Sequence, residues 1–114
     1  MNKDLEITVS AKGDVSIISI KGEVTAVTGE AIEKAYTDLS NNEVKKILLH
    51  FDEKSYINSG GIAILIGMVS ESKKREQIIR IIGLSEHFQK RFYMVGLTKY
   101  TQIFPSEERA LENF

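Results

Sequence analysis

The hydroxyl of Ser59 stands in the run Asn58-Ser59-Gly60-Gly61-Ile62, at the entrance to the apolar stretch IAILIGMV. A serine in that place is a natural helix cap, its oxygen accepting a bond from the backbone N–H two or three residues on, a role worth about 1 kcal/mol. The same geometry points unpaired N–H groups and the positive end of a helix dipole at whatever is attached to that oxygen, so a phosphate there would be tolerated. Competing chemistries lack their parts. His50 and His87 sit on different segments without ligand spacing, and no metal or cofactor is expected. A triad of Ser59, His50 and Asp52 has no G-x-S-x-G elbow. "NSGGIA" has neither the Lys-Ser/Thr ending of a P-loop nor a G-x-G-x-x-G pattern.

A phosphoacceptor aspartate is a further option, because Asp52 closes the run KKILLHF as the receiver aspartate of response regulators closes their third strand. A receiver also needs an acidic pair after its first strand and a lysine after its last. Here the corresponding strand ends run into Lys21-Gly22-Glu23 and Phe104-Pro105, so Asp52 reads more simply as a strand-end turn residue.

The whole chain narrows the field further. Its 114 residues suit one domain spanning 1–114, and 42% hydrophobic with 27% charged residues is the balance of a soluble globular protein. Fifteen Lys plus Arg against sixteen Asp plus Glu leave a net charge of -1, without the field that holds nucleic acid. Lys73-Lys74-Arg75 reads as the dipole-compensating end of a helix. The absence of cysteine excludes disulfides, thiolate chemistry and Cys-based zinc sites. "MNKDLEITVS" has no apolar signal core, and Ile62 to Val69 is too short to span a bilayer, so a cytoplasmic protein without membrane contact is expected.

The elements that position Ser59 follow from periodicity. "LEITVSAKGDVSIISIKG" predicts an antiparallel hairpin turning at Lys12-Gly13-Asp14. Residues Thr28 to Leu39 place Ala31, Ile32, Ala35, Tyr36 and Leu39 at helical spacing, with Thr28 as the cap. "KKILLHF" is a strand of the kind buried on both faces of a parallel sheet. The serine helix runs to about Arg75, and IIRIIG is another buried strand. Ser85 caps a helix through about Met94, with Phe88, Phe92 and Val95 on one stripe and Gly96 as its stop. "YTQIF" is a short strand, and Ser106 caps a terminal helix to Glu112. Strands alternating with helices after a hairpin imply an α/β fold, a mostly parallel central sheet flanked by helices.

Along the serine helix, Ile62, Leu65, Ile66 and Val69 form the stripe that faces the sheet, while Gly60, Ala63, Ile64, Gly67, Met68 and Glu71 form the opposite one. An outward stripe with Ile64 and Met68 between small residues is either covered by neighbouring helices or a partner-binding face. The second reading predicts that both side chains are exposed anchors.

With this element order and serine helix, the chain resembles the STAS domain family, specifically its stand-alone bacterial anti-sigma factor antagonists. Three stretches carry the resemblance: IISIKGEV, ILLHFDEKSYINSGGIAILIGMV and FYMVGLTKYTQIFPSEERAL. The family's Asp-Ser-[Ser/Thr]-Gly-Leu motif is matched by Asn58 to Ile62, which places its phosphorylatable serine on Ser59, its second hydroxyl position on Gly60 and its glycine on Gly61. The resemblance implies a STAS-like fold and a non-enzymatic switch. The antagonist binds an anti-sigma factor and frees the sigma factor; the anti-sigma factor, a serine kinase, phosphorylates the antagonist and expels it, and a serine phosphatase resets it. Asn58, Gly60, Gly61, Ala63, Ile64, Gly67, Met68 and Thr25 would be partner-binding or shaping residues. Asn58 stands where the family usually has an acidic residue, and so does Thr25 in GEVTAVT. Those two departures motivate an alternative, a non-phosphorylated STAS module that scaffolds a signalling complex or senses a ligand.

Overall fold

The computed structural model describes residues 5–114. Strands β1 (Leu5–Lys12) and β2 (Val15–Val24) form the expected hairpin, paired antiparallel from Leu5↔Gly22 to Lys12↔Val15. Gly13 permits the tight turn with a φ of 62°. The chain continues through α1 (Gly29–Asn41), β3 (Lys46–Phe51), β4 (Tyr56–Ile57), α2 (Ser59–Lys74), β5 (Ile78–Ile82), α3 (Glu86–Met94), a 3₁₀ turn at Leu97–Lys99, β6 (Gln102–Ile103) and α4 (Glu107–Leu111). The sheet order is β1-β2-β3-β5-β6, parallel at every pairing except the hairpin. The short β4 pairs in parallel with the end of β2 through Glu23↔Tyr56 and Val24↔Ile57.

Sheet alternation divides the core in two. Ile18, Ile20, Ile47, Leu49, Ile79 and Ile81 face α1, α2 and α3 and build the larger cluster. Val15, Ile17, Leu48 and Ile82 face the other way and meet Ala110 of α4. Ile47, Leu48 and Leu49 are all buried, as a central parallel strand covered on both faces requires.

Helix starts follow the expected caps at α3 and α4 but not at α1 and α2. Ser85 and Ser106 accept from Phe88 N and Arg109 N as expected. Thr28 precedes α1, but its side chain does not cap it. Thr25 starts this turn instead: its Oγ1 accepts from Val27 N and Thr28 N at 3.2 and 3.1 Å, and its carbonyl accepts from Gly29 N at 2.7 Å. Thr28 Oγ1 donates to Glu23 O at 2.6 Å and accepts from Thr25 N at 2.8 Å, tying the turn to β2. On α1, Ile32 and Tyr36 are buried, while Ala31 is exposed. Val95, expected on the buried stripe of α3, is also exposed, because the chain leaves the helix at Met94 and turns at Gly96 with a φ of 88°.

Candidate functional site

The start of α2 is held by its neighbours before the helix forms. Asn58 N donates to Val24 O at 3.0 Å, continuing the β4 pairing. Gly61 then lies so close to the end of β2 that a Cβ on it would sit 2.3 Å from Val24 O. Glycine is required there by approach of backbone to backbone.

The cap of α2 is Asn58, one residue before the serine expected in that role. Asn58 is extended, with φ -90° and ψ -178°, and its Oδ1 accepts from Gly61 N at 2.9 Å. Ser59 therefore occupies the first helical position and is exposed. Among the described residues its hydroxyl has no hydrogen-bond partner, so the helix does not consume it. The first intrahelical bond runs from Ile62 N to Asn58 O at 2.9 Å, and the first turn contains no acidic residue. The amides of Ser59 and Gly60 and the positive helix end consequently surround a free hydroxyl with uncompensated positive potential. That environment suits an anionic group on Ser59 Oγ.

The outward stripe is only partly outward. Met68 is 2% exposed and belongs to the main core, so it cannot be the expected surface anchor in this conformation. Ile64 is half-buried, and its Cδ1 lies 2.8 Å from where a Cβ on Gly29 would stand. Helix α1 crosses this part of α2 and covers both side chains, which a helical wheel of α2 alone cannot reveal. Ser59, Ala63 and Gly67 remain exposed along one line of the helix.

The exposed apolar side chains at this end of the molecule come from the turn after β2 and from β4. Gly60 is half-buried, and a Cβ on it would meet Ala26 Cβ at 2.9 Å and Ala26 N at 3.0 Å, so the turn after β2 packs directly on the serine helix. Next to Ala26, Val27 is 77% exposed, and Tyr56 of β4 is 56% exposed with its ring edge-on to Phe88 at 5.8 Å. These contacts explain why glycine fits at position 60. The half-buried Thr25 uses its hydroxyl to close the turn that carries Ala26 and Val27. Ala26, Val27 and Tyr56 escape sequence reading because their apolar character falls outside any periodic element.

The other candidates disperse. Asp52 sits in a turn where Ser55 N donates to its carbonyl at 2.8 Å, matching its reading as a strand-end residue. His87 stacks edge-on to Phe88 at 4.7 Å. Among the described residues no three His, Asp or Glu side chains cluster as metal ligands, and no helix is long and apolar enough to cross a membrane.

A family model for the STAS domain matches residues 6–110. The chain belongs to the STAS domain family. Within that family the STAS chain is similar to the anti-sigma-B factor antagonist of Staphylococcus aureus, 23% identical over 97 residues that cover 85% of this chain and 88% of the relative. It is likewise 24% identical over 103 residues to the anti-sigma-B factor antagonist of Listeria monocytogenes, covering 90% of each. An anti-sigma factor antagonist from Mycobacterium paratuberculosis shares the fold at a TM-score of 0.80 and 20% identity, over 94% of this chain and 91% of that one. The SpoIIAA cell fate determinant of Bacillus, in its phosphorylated form, superposes with a TM-score of 0.67 at 15% identity, covering 94% and 97%. Asp52 as a receiver-type phosphoacceptor has no place in this family assignment.

Proposed function

We propose that this STAS domain is a cytoplasmic anti-sigma factor antagonist, switched by phosphorylation of Ser59. In the unphosphorylated state the surface made by Ser59, Ala63, Ala26, Val27 and Tyr56 binds an anti-sigma factor of the serine kinase type. Asn58, Gly60, Gly61 and Thr25 shape that surface from beneath. The kinase directs Ser59 Oγ at the γ-phosphorus of ATP; the new O–P bond forms as the bond to ADP breaks, and the hydroxyl proton passes to a base of the kinase. A phosphatase reverses the modification by water attack at phosphorus. Catalysis is supplied by the partners throughout.

The observation that carries this reading is the unpartnered, exposed hydroxyl of Ser59 at the first helical position of a neutral-capped helix. The relatives named as anti-sigma-B factor antagonists support it. Phosphoserine brings about -1.5 to -2 charges near neutral pH, which the helix end accommodates and an apolar interface cannot accept without desolvation. The fold persists and the complex is lost.

The test is incubation with an anti-sigma factor of the serine kinase type and ATP, followed by mass-spectrometric mapping and binding measurements. Phosphate is expected on Ser59 alone. Ser59→Ala should bind without being modified, and Ser59→Asp should bind roughly a hundredfold more weakly, as a charge forced into an apolar contact requires. The neutral residues at Asn58 and Thr25 favour, as a second reading, a STAS module that binds without a phosphorylation switch. Equal binding by both variants and an unmodified Ser59 would select it.

A further inference from the structure

The end of the molecule opposite Ser59 carries a different surface. A helix of 16 residues separates them, which at about 1.5 Å per residue is roughly 24 Å from the first turn of α2 to the last. At that far end α2 finishes in Lys73 and Lys74, and α3 runs into the 3₁₀ turn beside them. Phe88, Phe92 and Leu97 anchor α3 and this turn in the core. Tyr93 and Met94 point outward, 73% and 79% exposed, and Val95 and Tyr100 are exposed as well. Single exposed apolar side chains are ordinary, but large ones gathered at one corner are typical of contact surfaces, where Tyr and Met are enriched.

The corner is also concave and cationic. Tyr93, Met94 and Val95 join Thr98 and Lys99 around a groove of about 370 Å³. Thr98 and Lys99 also line a second groove, of about 270 Å³, which Lys73, Ile78 and Tyr100 close. The shared residues make the two grooves one continuous surface. Among the described residues, Lys73, Lys74, Lys90, Arg91 and Lys99 form no ion pair, whereas Arg75 is held by Glu71. Glu76 follows Lys73 and Lys74 in the exposed turn after α2. Helix-end dipoles account for lysines at the end of α2 but not for Tyr93 and Met94 in the groove that adjoins theirs through Thr98 and Lys99.

We propose that this corner is a second protein-docking surface, which takes an acidic polypeptide segment carrying apolar or aromatic side chains. The unpaired cations set the charge of the partner. The grooves favour side chains of a polypeptide over a bilayer, which would meet the protruding tips of Tyr93 and Met94 and leave the grooves empty. Separation from Ser59 exceeds the screening length of about 8 Å at physiological salt, so a phosphate at one end leaves the other unaltered. The protein then holds this partner in both states of the proposed switch, and the inference stands whether or not Ser59 is phosphorylated.

The test is titration of the isotope-labelled full chain with a random Glu–Tyr copolymer, followed by backbone amide NMR. Parallel titrations use poly-glutamate and vesicles of phosphatidylcholine with phosphatidylserine. The copolymer should shift amides at residues 73–74 and 90–100 and leave those at 58–63 in place. Its Kd should rise about tenfold between roughly 0.05 and 0.3 M salt, and by a similar factor in the double variant Tyr93→Ser with Met94→Ser. Lys99→Glu should weaken it likewise, and Ser59→Asp should leave it unchanged. Absent or scattered shifts, equal binding of poly-glutamate and copolymer, shifts with vesicles but not with copolymer, or indifference to both the Tyr93→Ser with Met94→Ser and the Lys99→Glu substitutions would overturn the proposal.

Discussion

At the scale of single residues, the identity of Asn58 governs how a charge on Ser59 is received. Its Oδ1 satisfies Gly61 N and leaves the amides of the first turn and the helix dipole without a counter-charge. Asn58→Ala should lower stability by about 1 kcal/mol by orphaning Gly61 N. Asn58→Asp keeps the acceptor and adds a charge, which should stabilise by about 0.3–1 kcal/mol. That gain should vanish in a Ser59→Asp background, where two negative groups share one helix end. Thermal denaturation of the two single variants and the double variant reads this directly, and an additive gain would refute it. Sequence alone could bring Asn58, Ser59 and Gly61 together but could not choose the cap, because Asn and Ser are equally good at it and differ here by one position. The extended backbone of Asn58 decides the matter, and that is set by β4 pairing with β2.

Between elements, a buried polar chain fastens α1 to the start of β5. Tyr36 Oη donates to Gln77 Oε1 at 2.6 Å, and Gln77 Nε2 donates to Ser40 Oγ at 2.9 Å and Val44 O at 3.0 Å. Tyr36 and Gln77 are both buried, so removing one partner strands the other without water. Tyr36→Phe should destabilise by about 1–3 kcal/mol. Burial pushes the Tyr36 phenol above its ordinary value of 10.0. A raised folded pKa means stability that is complete below the unfolded pKa and lost as pH rises through the folded one. Chemical denaturation from neutral pH to above pH 10 should therefore show an alkaline decline that is shallower in Tyr36→Phe. Parallel declines would assign the effect elsewhere. The helical spacing of Ile32 and Tyr36 made the inward face of α1 legible in sequence, but not that Gln77, just before β5, would receive the hydroxyl. The two-residue β4 and the Thr25 turn were equally hidden, since neither is long enough to show a period.

Across the whole molecule the order of hairpin and alternating strands and helices was legible, because each strand is a compact Ile- and Leu-rich run and each helix carries its own stripe. What covers the second face of the sheet was not. Opposite α1, α2 and α3, the apolar patch of Val15, Ile17, Leu48 and Ile82 is roofed, among the described residues, by Phe104, the short α4 and the residues after it. A helix of 5 residues is far below the length that is stable alone, so tertiary contacts must hold it. Arg80 on β5 supplies them. Its Nη1 donates to Ala110 O and Glu112 O, each at 2.8 Å, and its Nη2 to Asn113 O at 3.0 Å. The guanidinium lies 5.0 Å from the Phe104 ring centre and 4.5 Å from that of Phe114. Lys12 adds an exposed contact to Glu107 at the start of α4. Arg80 is thus the main polar link between the tail and the sheet, and tail and main core become separable units of stability. In Arg80→Met the apolar stem is kept while the three carbonyls lose their charged donors, at a cost of about 2–4 kcal/mol. Hydrogen exchange should then speed up at least about tenfold at Ala110 N, which bonds to Ser106 O, while Leu49 in the centre of β3 keeps its protection. Equal losses at both amides would mean that the tail and the sheet open together, and that Arg80 supports the global fold instead of latching one face of it.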